Sequence, residues 1–568
     1  MNKINLYILA CGILSISVAS CSLDVEPQTS ILDASYYKTA AEAETALVGC
    51  YDGLQRTTSN GSLSFYVTSE VLADECFGGT GSSDGRGYQA LDRFDQSQST
   101  SDNDLFNGTW KDYYAGIFRC NNLLKKIDNI NWTGNETEYN SIVGQAKFLR
   151  AYMYFDLVRL LGNIPLITVP TTDNVPQDSA VTVYRQIAKD LVDASSKITY
   201  PSWSATWAAS NDGRATQWAA KALLARVYLF YTGYYGKSDL AGVVTKSQAL
   251  AGVEDVIKNG GYSLITTSAT VKDKDGVSHT ITPFARLWPA SSVVSATDST
   301  LNWNAYAGRG NSETVFAQKF NYTQDYNGNE DGNEWLVMMG IRNVSMYPYG
   351  RGWGCCTVNP EFVSSFSSSD QRKIPSIIDF SETTLSGSTL AATFKAAANG
   401  LSNQREYTGY TEKKYTPLSL PNGKDEVTKK GTGSFQISQY QDFISIRYAD
   451  VLLMAAELGS SNALTYLNDV RERAGLPDAS SASEENILNE RKCEFAFEGI
   501  RYWDLLRQGI NTAAQIISTP GISVLSGGNS DEVIIKSSNI INTNGLMQIP
   551  NTQITLSNGV LKQNTGWK

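Results

Sequence analysis

The sequence predicts a mainly α protein: a tetratricopeptide-like helical repeat scaffold carrying a large loop-rich, minor-β region that binds a ligand. Three observations lead there. Apolar residues recur at helical spacing through residues 36–261 and again through 447–508. Those helices carry alanine-rich faces and stop at glycine, so each pair leaves an apolar face that the next pair must cover. Between them, residues 262–446 lose helical periodicity, thin out in charge pairs and fill with Gly and Ser.

Residues 36–56 form the first helix, with Ala46, Leu47, Cys50, Tyr51 and Leu54 on one face. Residues 76–109 are rich in Gly, Ser and Asp and read as one long loop, a length usually reserved for function. A helix over 110–128 follows, then one over 136–161 that stacks Val143, Ala146, Leu149, Tyr152 and Phe155. Gly162 caps it and Pro165 blocks a restart. Helices over 180–197, 216–232 and 245–259 come next. The middle one is apolar nearly all round, as a helix buried between others must be. After the loop-rich region, helices return over 447–457 and 462–474, the latter ended by Gly475 and Pro477. Ser481 and Glu484 have capping-box spacing for a third. It runs ILNERKCEFAFEG into IRYWDLLRQG, and residues 509–568 close the chain.

The amino-terminal segment has its own logic. Lys3 precedes an apolar run from Leu6 to Val18, which is shorter than the roughly 20 residues a membrane span needs. The run ends in Val18-Ala19-Ser20-Cys21, so residues 1–20 are expected to be a lipoprotein signal peptide. Cys21 is the expected lipidation site and residues 21–35 the tether; two or more acyl chains hold a protein on a membrane stably. Residues 36–568 form a single body.

Composition narrows the function. A formal net charge of −10 over 568 residues, with no basic tract, excludes a nucleic-acid binder. Eight cysteines without a C-x-x-C pair and a single histidine, His279, argue against a metal centre and leave a Ser-His-Asp triad resting on one loop residue. No P-loop or nucleophile elbow is present, so neither a cofactor nor a catalytic residue is expected. Glu490, Glu494 and Glu498 recur at i, i+4, i+8 among arginines. A carboxylate pair suits glycosidase chemistry, but acids stacked on one helix face among arginines suit a buried ion-pair network better.

Trp and Tyr rings cover the apolar faces of sugars, while Asp, Asn and Arg pair hydroxyls. The 76–109 loop offers Asp84, Arg86, Tyr88, Asp92 and Arg93 for that work. The 284–353 stretch offers Trp288, Trp303, Tyr306, Tyr326, Trp335 and Trp353. Each tryptophan there suits the core as well as a ligand. Gly352-Trp353-Gly354-Cys355-Cys356 suggests a vicinal disulfide holding Trp353 as a rigid platform, with two separately packed thiols as the alternative.

Glu490-Arg491, Glu494-Phe495, Glu498-Gly499, Arg501, Asp504-Leu505 and Arg507 resemble the signature of the SusD/RagB family of surface lipoproteins from Bacteroidetes. FLRAYMYFDLVRLLGNIPL, RYADVLLMAAE, VRERAGLP and the terminal LKQNTGW are similar to other family segments, in the family's order. The resemblance implies a non-catalytic binder of oligosaccharide or polysaccharide at the outer membrane, lipid-anchored and surface-exposed. It implies service as the lid of a SusC-like TonB-dependent transporter, with ligand sites on loops away from the helical stack. RagB-type members bind peptide, which is the alternative cargo; a glycan-cleaving enzyme is the alternative of another class.

Overall fold

The computed structural model describes residues 36–567 apart from 60–63, 96, 98–103, 322–331, 384–386 and 431–433. The expected signal peptide, Cys21, the expected tether and Tyr326 lie outside the described residues.

The helical expectation holds. The stack is built from α1 (Ala40–Ser59), α3 (Asn107–Lys126), α4 (Glu136–Leu161), α5 (Ala180–Lys197), α6 (Gln217–Tyr235) and α7 (Lys246–Asn259). After the loop-rich region come α8 (Tyr448–Glu457), α9 (Ala463–Arg473), α10 (Glu484–Glu494) and α11 (Arg501–Leu506). Packing is serial: α1 on α3, α3 on α4, and so on to α7. The chain then leaves the stack and re-enters at α8, which packs directly on α7. Among the described residues, no helix is long and apolar enough to cross a membrane.

Local chemistry sets the ends. Ser179 caps α5 by accepting from the Thr182 amide, and Thr245 with Gln248 forms a full capping box on α7. Gly162 ends α4 at φ +71°, where a side chain would be strained and a Cβ would strike Leu546. The α10 cap differs from expectation. Ser483, not Ser481, accepts from the Asn486 amide, while Ser481 accepts the Asn486 side chain and so sits one step outside the helix. A seven-residue helix, α2 (Phe65–Val71), has no counterpart in the sequence reading; all its residues are buried, and Phe65 stacks on Trp503 at 5.2 Å. The α1–α3 crossing is unusually close, since a Cβ on Gly53 would stand 2.8 Å from the Gly116 Cα.

Strands outside the stack are short. β1 (Cys76–Gly79), β3 (Cys355–Val358), β4 (Ile377–Asp379) and β5 (Tyr410–Glu412) make one antiparallel sheet in the order β1-β3-β5-β4. β2 (Thr314–Gln318) pairs with β6 (Phe443–Arg447), which leads straight into α8. The 76–109 stretch is thus not one loop: it contains β1 and a short helix at Gly87–Asp92.

A buried lattice of charges bolts the loop-rich region to α9 and α10. Arg447 reaches Glu313 at 2.7 Å, Glu494 at 2.9 Å and Glu498 at 2.7 Å. Arg473 pairs with Glu313 at 3.0 Å and with Glu494. Arg372 holds Asp370 at 2.8 Å, Glu494 at 3.1 Å and Glu490, and Lys414 holds Glu498 at 2.7 Å. Arg471 adds a contact to Glu490 at 2.9 Å. Arg372, Lys414, Arg447, Arg471 and Arg473 thereby face an equal number of acids. Burial opposes charge on Glu494, but the guanidiniums of Arg473, Arg447 and Arg372 override it and hold the carboxyl well below its ordinary range.

Removing one member of such a lattice strands the rest. Glu494→Ala should cost about 3–5 kcal/mol of stability in chemical denaturation. Lys147→Ala, which breaks the half-exposed pair with Asp193, should cost no more than about 1 kcal/mol in the same assay.

Candidate functional site

The two stretches singled out in the sequence meet in the structure. Asp84 pairs with Arg342 at 2.9 Å, and the same guanidinium donates to the Trp353 carbonyl at 3.2 Å. The backbone around them is fixed. Arg405 donates to the carbonyls of Ser82 at 2.7 Å and Asp84 at 2.8 Å, clamping the 82–85 turn. The Trp353 amide donates to the Val337 carbonyl, and Gln404 donates to the Gly354 carbonyl. Gly354 sits at φ +73°, with Arg342 and Gln404 where a side chain would go. Asp84 and Trp353 remain half-buried and Arg86 exposed.

Arg351 lies two residues before Trp353, on the same side of the extended run. It forms a forked pair with Asp425, at 2.8 and 3.1 Å, and its guanidinium stacks 4.1 Å over the Phe435 ring. This pair stands in an open cleft of about 750 Å³ that also presents Asn343, Ser345, Asn399 and Lys424. One turn structure carries the cleft wall onward. Its Leu418 and Leu420 pack with Trp303 and Tyr347, while Asp425 bridges back to Ser419. Trp303 and Tyr306 meet edge to face at 6.5 Å, and both are half-buried. Nearby, the Tyr440 hydroxyl donates to Glu426 at 3.1 Å. Half-buried rings and guanidinium–carboxylate pairs thus occur together in the loop-rich region, a chemistry that suits a ligand with apolar faces and hydroxyl edges.

Half of the residues expected at a ligand site are elsewhere. Trp288 and Trp335 are core residues at 1% and 0% exposure. Trp288 stands over the buried lattice, with the Lys414 ammonium 5.1 Å from its ring, and Trp335 packs on Tyr415 and Phe443. Tyr88 is buried against Met338. Cys355 and Cys356 are buried and unbridged, like every other cysteine among the described residues. Cys356 sits at φ +58°, outside the extended region, although it lies within β3. The Cys356 thiol meets that of Cys76, while Cys355 lies toward Arg342 and Asp84. Burial pushes both thiols above their ordinary range. Asp92 is inward too, accepting from the Gly78 amide, while Arg93 is half-buried and pairs with Glu406. Arg342, Arg351, Asp425, Phe435 and Tyr440 were missed. The run Gly350-Arg351-Gly352-Trp353-Gly354 held the one usable signal, two large side chains alternating with glycine.

Strongly perturbed acids mark catalytic centres in many enzymes. Burial pushes Glu70 up to about 7 and Glu412 up to about 8, but each is 0% exposed and neither lines the cleft. Glu490, Glu494 and Glu498 are consumed by the ion lattice. His279 pairs with Asp273 on a hairpin between residues 269 and 281. Among the described residues no group of His, Cys, Asp and Glu has the arrangement of a metal site.

Family models and solved structures resemble this chain over most of its length. The SusD family model matches residues 312–567, and a second model, described as starch-binding associating with outer membrane, matches residues 68–229. The chain is similar to SusD-family proteins over both of these stretches. SusD-like protein P2 of Formosa agariphila is 26% identical over 88% of this chain and 90% of its own length. A SusD-like protein of Bacteroides ovatus is 24% identical over 89% of this chain and 82% of its own. Among solved structures, a laminarin binding SusD-like protein superposes with TM-score 0.67 at 26% identity, covering 94% of this chain and all of that one. Surface glycan-binding protein A from Bacteroides fluxus shares the fold with TM-score 0.71 at 22% identity, over 93% of this chain and 100% of that one.

The buried acids give a pH dependence. The folded pKa of Glu412 lies above its unfolded value, so the folded state holds a proton that the unfolded chain releases between about pH 4.5 and 8. Stability from this group is therefore full in acid and lost as pH rises through about 8. Glu70 acts in the same sense, and Lys414 opposes it. Glu412→Gln should flatten the fall of Tm between pH 6 and 9 and raise Tm at pH 9 by a few degrees, read by scanning calorimetry.

Proposed function

We propose that this chain captures an oligosaccharide or polysaccharide on its loop-built face and passes it to a SusC-like TonB-dependent transporter as the transporter's lid subunit. The observations that carry the capture step are the half-buried rings of Trp353, Trp303 and Tyr306 and the Asp84–Arg342 and Arg351–Asp425 pairs, the latter in an open cleft. Rings of this kind cover sugar faces, and forked carboxylate–guanidinium pairs present fixed donors and acceptors to hydroxyls. Two solved structures of the same fold support a glycan cargo by their names: the laminarin binding SusD-like protein and surface glycan-binding protein A from Bacteroides thetaiotaomicron in complex with laminarihexaose. Within the proposed site, Asp84, Arg86, Trp303, Tyr306 and Trp353 are the accessible members of the set expected from sequence. Tyr88, Trp288, Trp335, Cys355 and Cys356 are buried and stand outside it.

A glycan array, with laminarihexaose as the first calorimetric probe, tests the capture step. Trp353→Ala and Trp303→Ala should each lower affinity more than tenfold, about 2 kcal/mol, with Tm within a few degrees of wild type. Unchanged affinity in both variants, against a glycan the wild type binds, would remove the aromatic face from the site.

The delivery step rests on the Cys21 lipid anchor and a partner barrel. In mild detergent the wild-type chain should co-purify from outer membrane with a TonB-dependent transporter, and Cys21→Ala should move it to the soluble fraction without one. A wild-type chain that elutes alone would end the lid reading while leaving glycan capture intact.

A further inference from the structure

All cysteines among the described residues are free and buried. Two of them meet at a helix crossing far from the loop-built face. Cys50 lies on α1 and Cys120 on α3, both 0% exposed. Neighbouring contacts fix the register. Gly53 and Gly116 touch backbone to backbone, as a Cβ on the first would stand 2.8 Å from the Cα of the second. Gly53 follows Cys50 by about one turn, and Gly116 precedes Cys120 by about one turn. Arg119 donates to the Gly49 carbonyl at 2.8 Å and pairs with Asp52. These contacts run antiparallel and bracket position 50 against position 120. The thiols themselves are in contact: the Cys120 sulfur, and then burial, push the Cys50 thiol well above its ordinary range. A disulfide needs Cα atoms roughly 4.4–6.8 Å apart, and glycine on glycine one turn away is what brings two helix backbones that near.

We propose that Cys50 and Cys120 form an intramolecular disulfide that staples α1 to α3 in the matured protein. The oxidising setting rests on the export reading of the first 21 residues; the thiol chemistry does not. The step is thiol–disulfide exchange with a donor disulfide, either oxidised glutathione or the active-site disulfide of an oxidoreductase. One cysteine thiolate attacks a donor sulfur and displaces the first donor thiolate. The second cysteine attacks the mixed disulfide and displaces the other. The two cysteine protons end on the two donor thiols; the cysteine pair gives up two electrons and the donor gains them. Both sulfurs are sealed in the folded body, so exchange belongs to the unfinished or locally opened chain, and the finished bond is shielded from reductant. The bridge ties the first described helix of the body to the helix it packs on, and restricts the unfolded chain across the segment between them.

The test is a redox titration of the full chain in glutathione buffers of rising oxidised fraction, once from the native protein and once after unfolding and refolding. Samples are alkylated in denaturant and cut with trypsin. Cleavage after Lys38, Arg56, Arg119 and Lys125 places Cys50 in residues 39–56 and Cys120 in residues 120–125. Mass spectrometry should find these two peptides linked, and separated by reductant. The wild-type Tm should fall by a few degrees in dithiothreitol, and the Tm of C50A/C120A should not respond. Alkylation of both residues at every glutathione ratio, in both arms, overturns the proposal. So does a link from either residue to a different cysteine. Neither outcome depends on where the chain resides in the cell, so failure of the export reading leaves the titration decisive.

Discussion

Arg447 is the residue on which two halves of the molecule close. It ends the strand that returns from the loop-rich region and begins the helix that resumes the stack. Its guanidinium is buried and touches Glu313 from the first half of that region and Glu494 and Glu498 from the second half of the stack. Buried charge is costly unless every partner is present. Arg447, Arg473, Arg372 and Lys414 therefore make sense only when loops and helices are both in place. Hydrophobic packing holds each helix to its neighbour; the lattice decides how the loops sit on them. Trp288 above it extends the same constraint, since its indole ring stands 5.1 Å from the buried Lys414 ammonium.

That constraint explains how an irregular region presents an ordered face. The loops are not held by regular sheets, which are only two to four strands wide. They are held by guanidiniums that each bind several groups at once. Arg405 gathers three carbonyls of the 82–85 turn, and Arg342 joins Asp84 to the Trp353 backbone. Arginine suits this task because its donors form a rigid fork. A ring or carboxylate held by such a fork is already in place when a ligand arrives, and less freedom is lost on binding.

The helices were legible where chemistry repeats. The bounds of 136–161 follow from apolar spacing and the Gly162 stop. The helix over Phe65–Val71 was not, because a segment buried on all sides has no polar face and so no period. The serine cap of α10 moved by two residues because Ser481 and Ser483 both fit the pattern, and only packing chooses between them. The buried role of Glu490, Glu494 and Glu498 was legible from their spacing among arginines. At the site, aromatic richness pointed to the right region but not to the right faces. Trp288 and Trp353 look alike in sequence, and only the fold sends one inward. Asp84 and Arg342 are 258 residues apart, so nothing local announces their pairing.

The serial packing of the stack has one more consequence. α7 ends at Asn259 and α8 begins at Tyr448, yet the two helices touch. The two ends of the loop-rich region thus emerge side by side, as the ends of a cassette do. Such a segment is free to lengthen, shorten or be exchanged without parting the helices beneath it. What limits the exchange is charge and not length: an incoming segment has to supply an acid where Glu313 stands and cations where Arg372 and Lys414 stand, or leave Glu490, Glu494 and Glu498 buried and unmatched. Recognition is thereby released to vary while three charged positions inside the cassette stay tied to the scaffold.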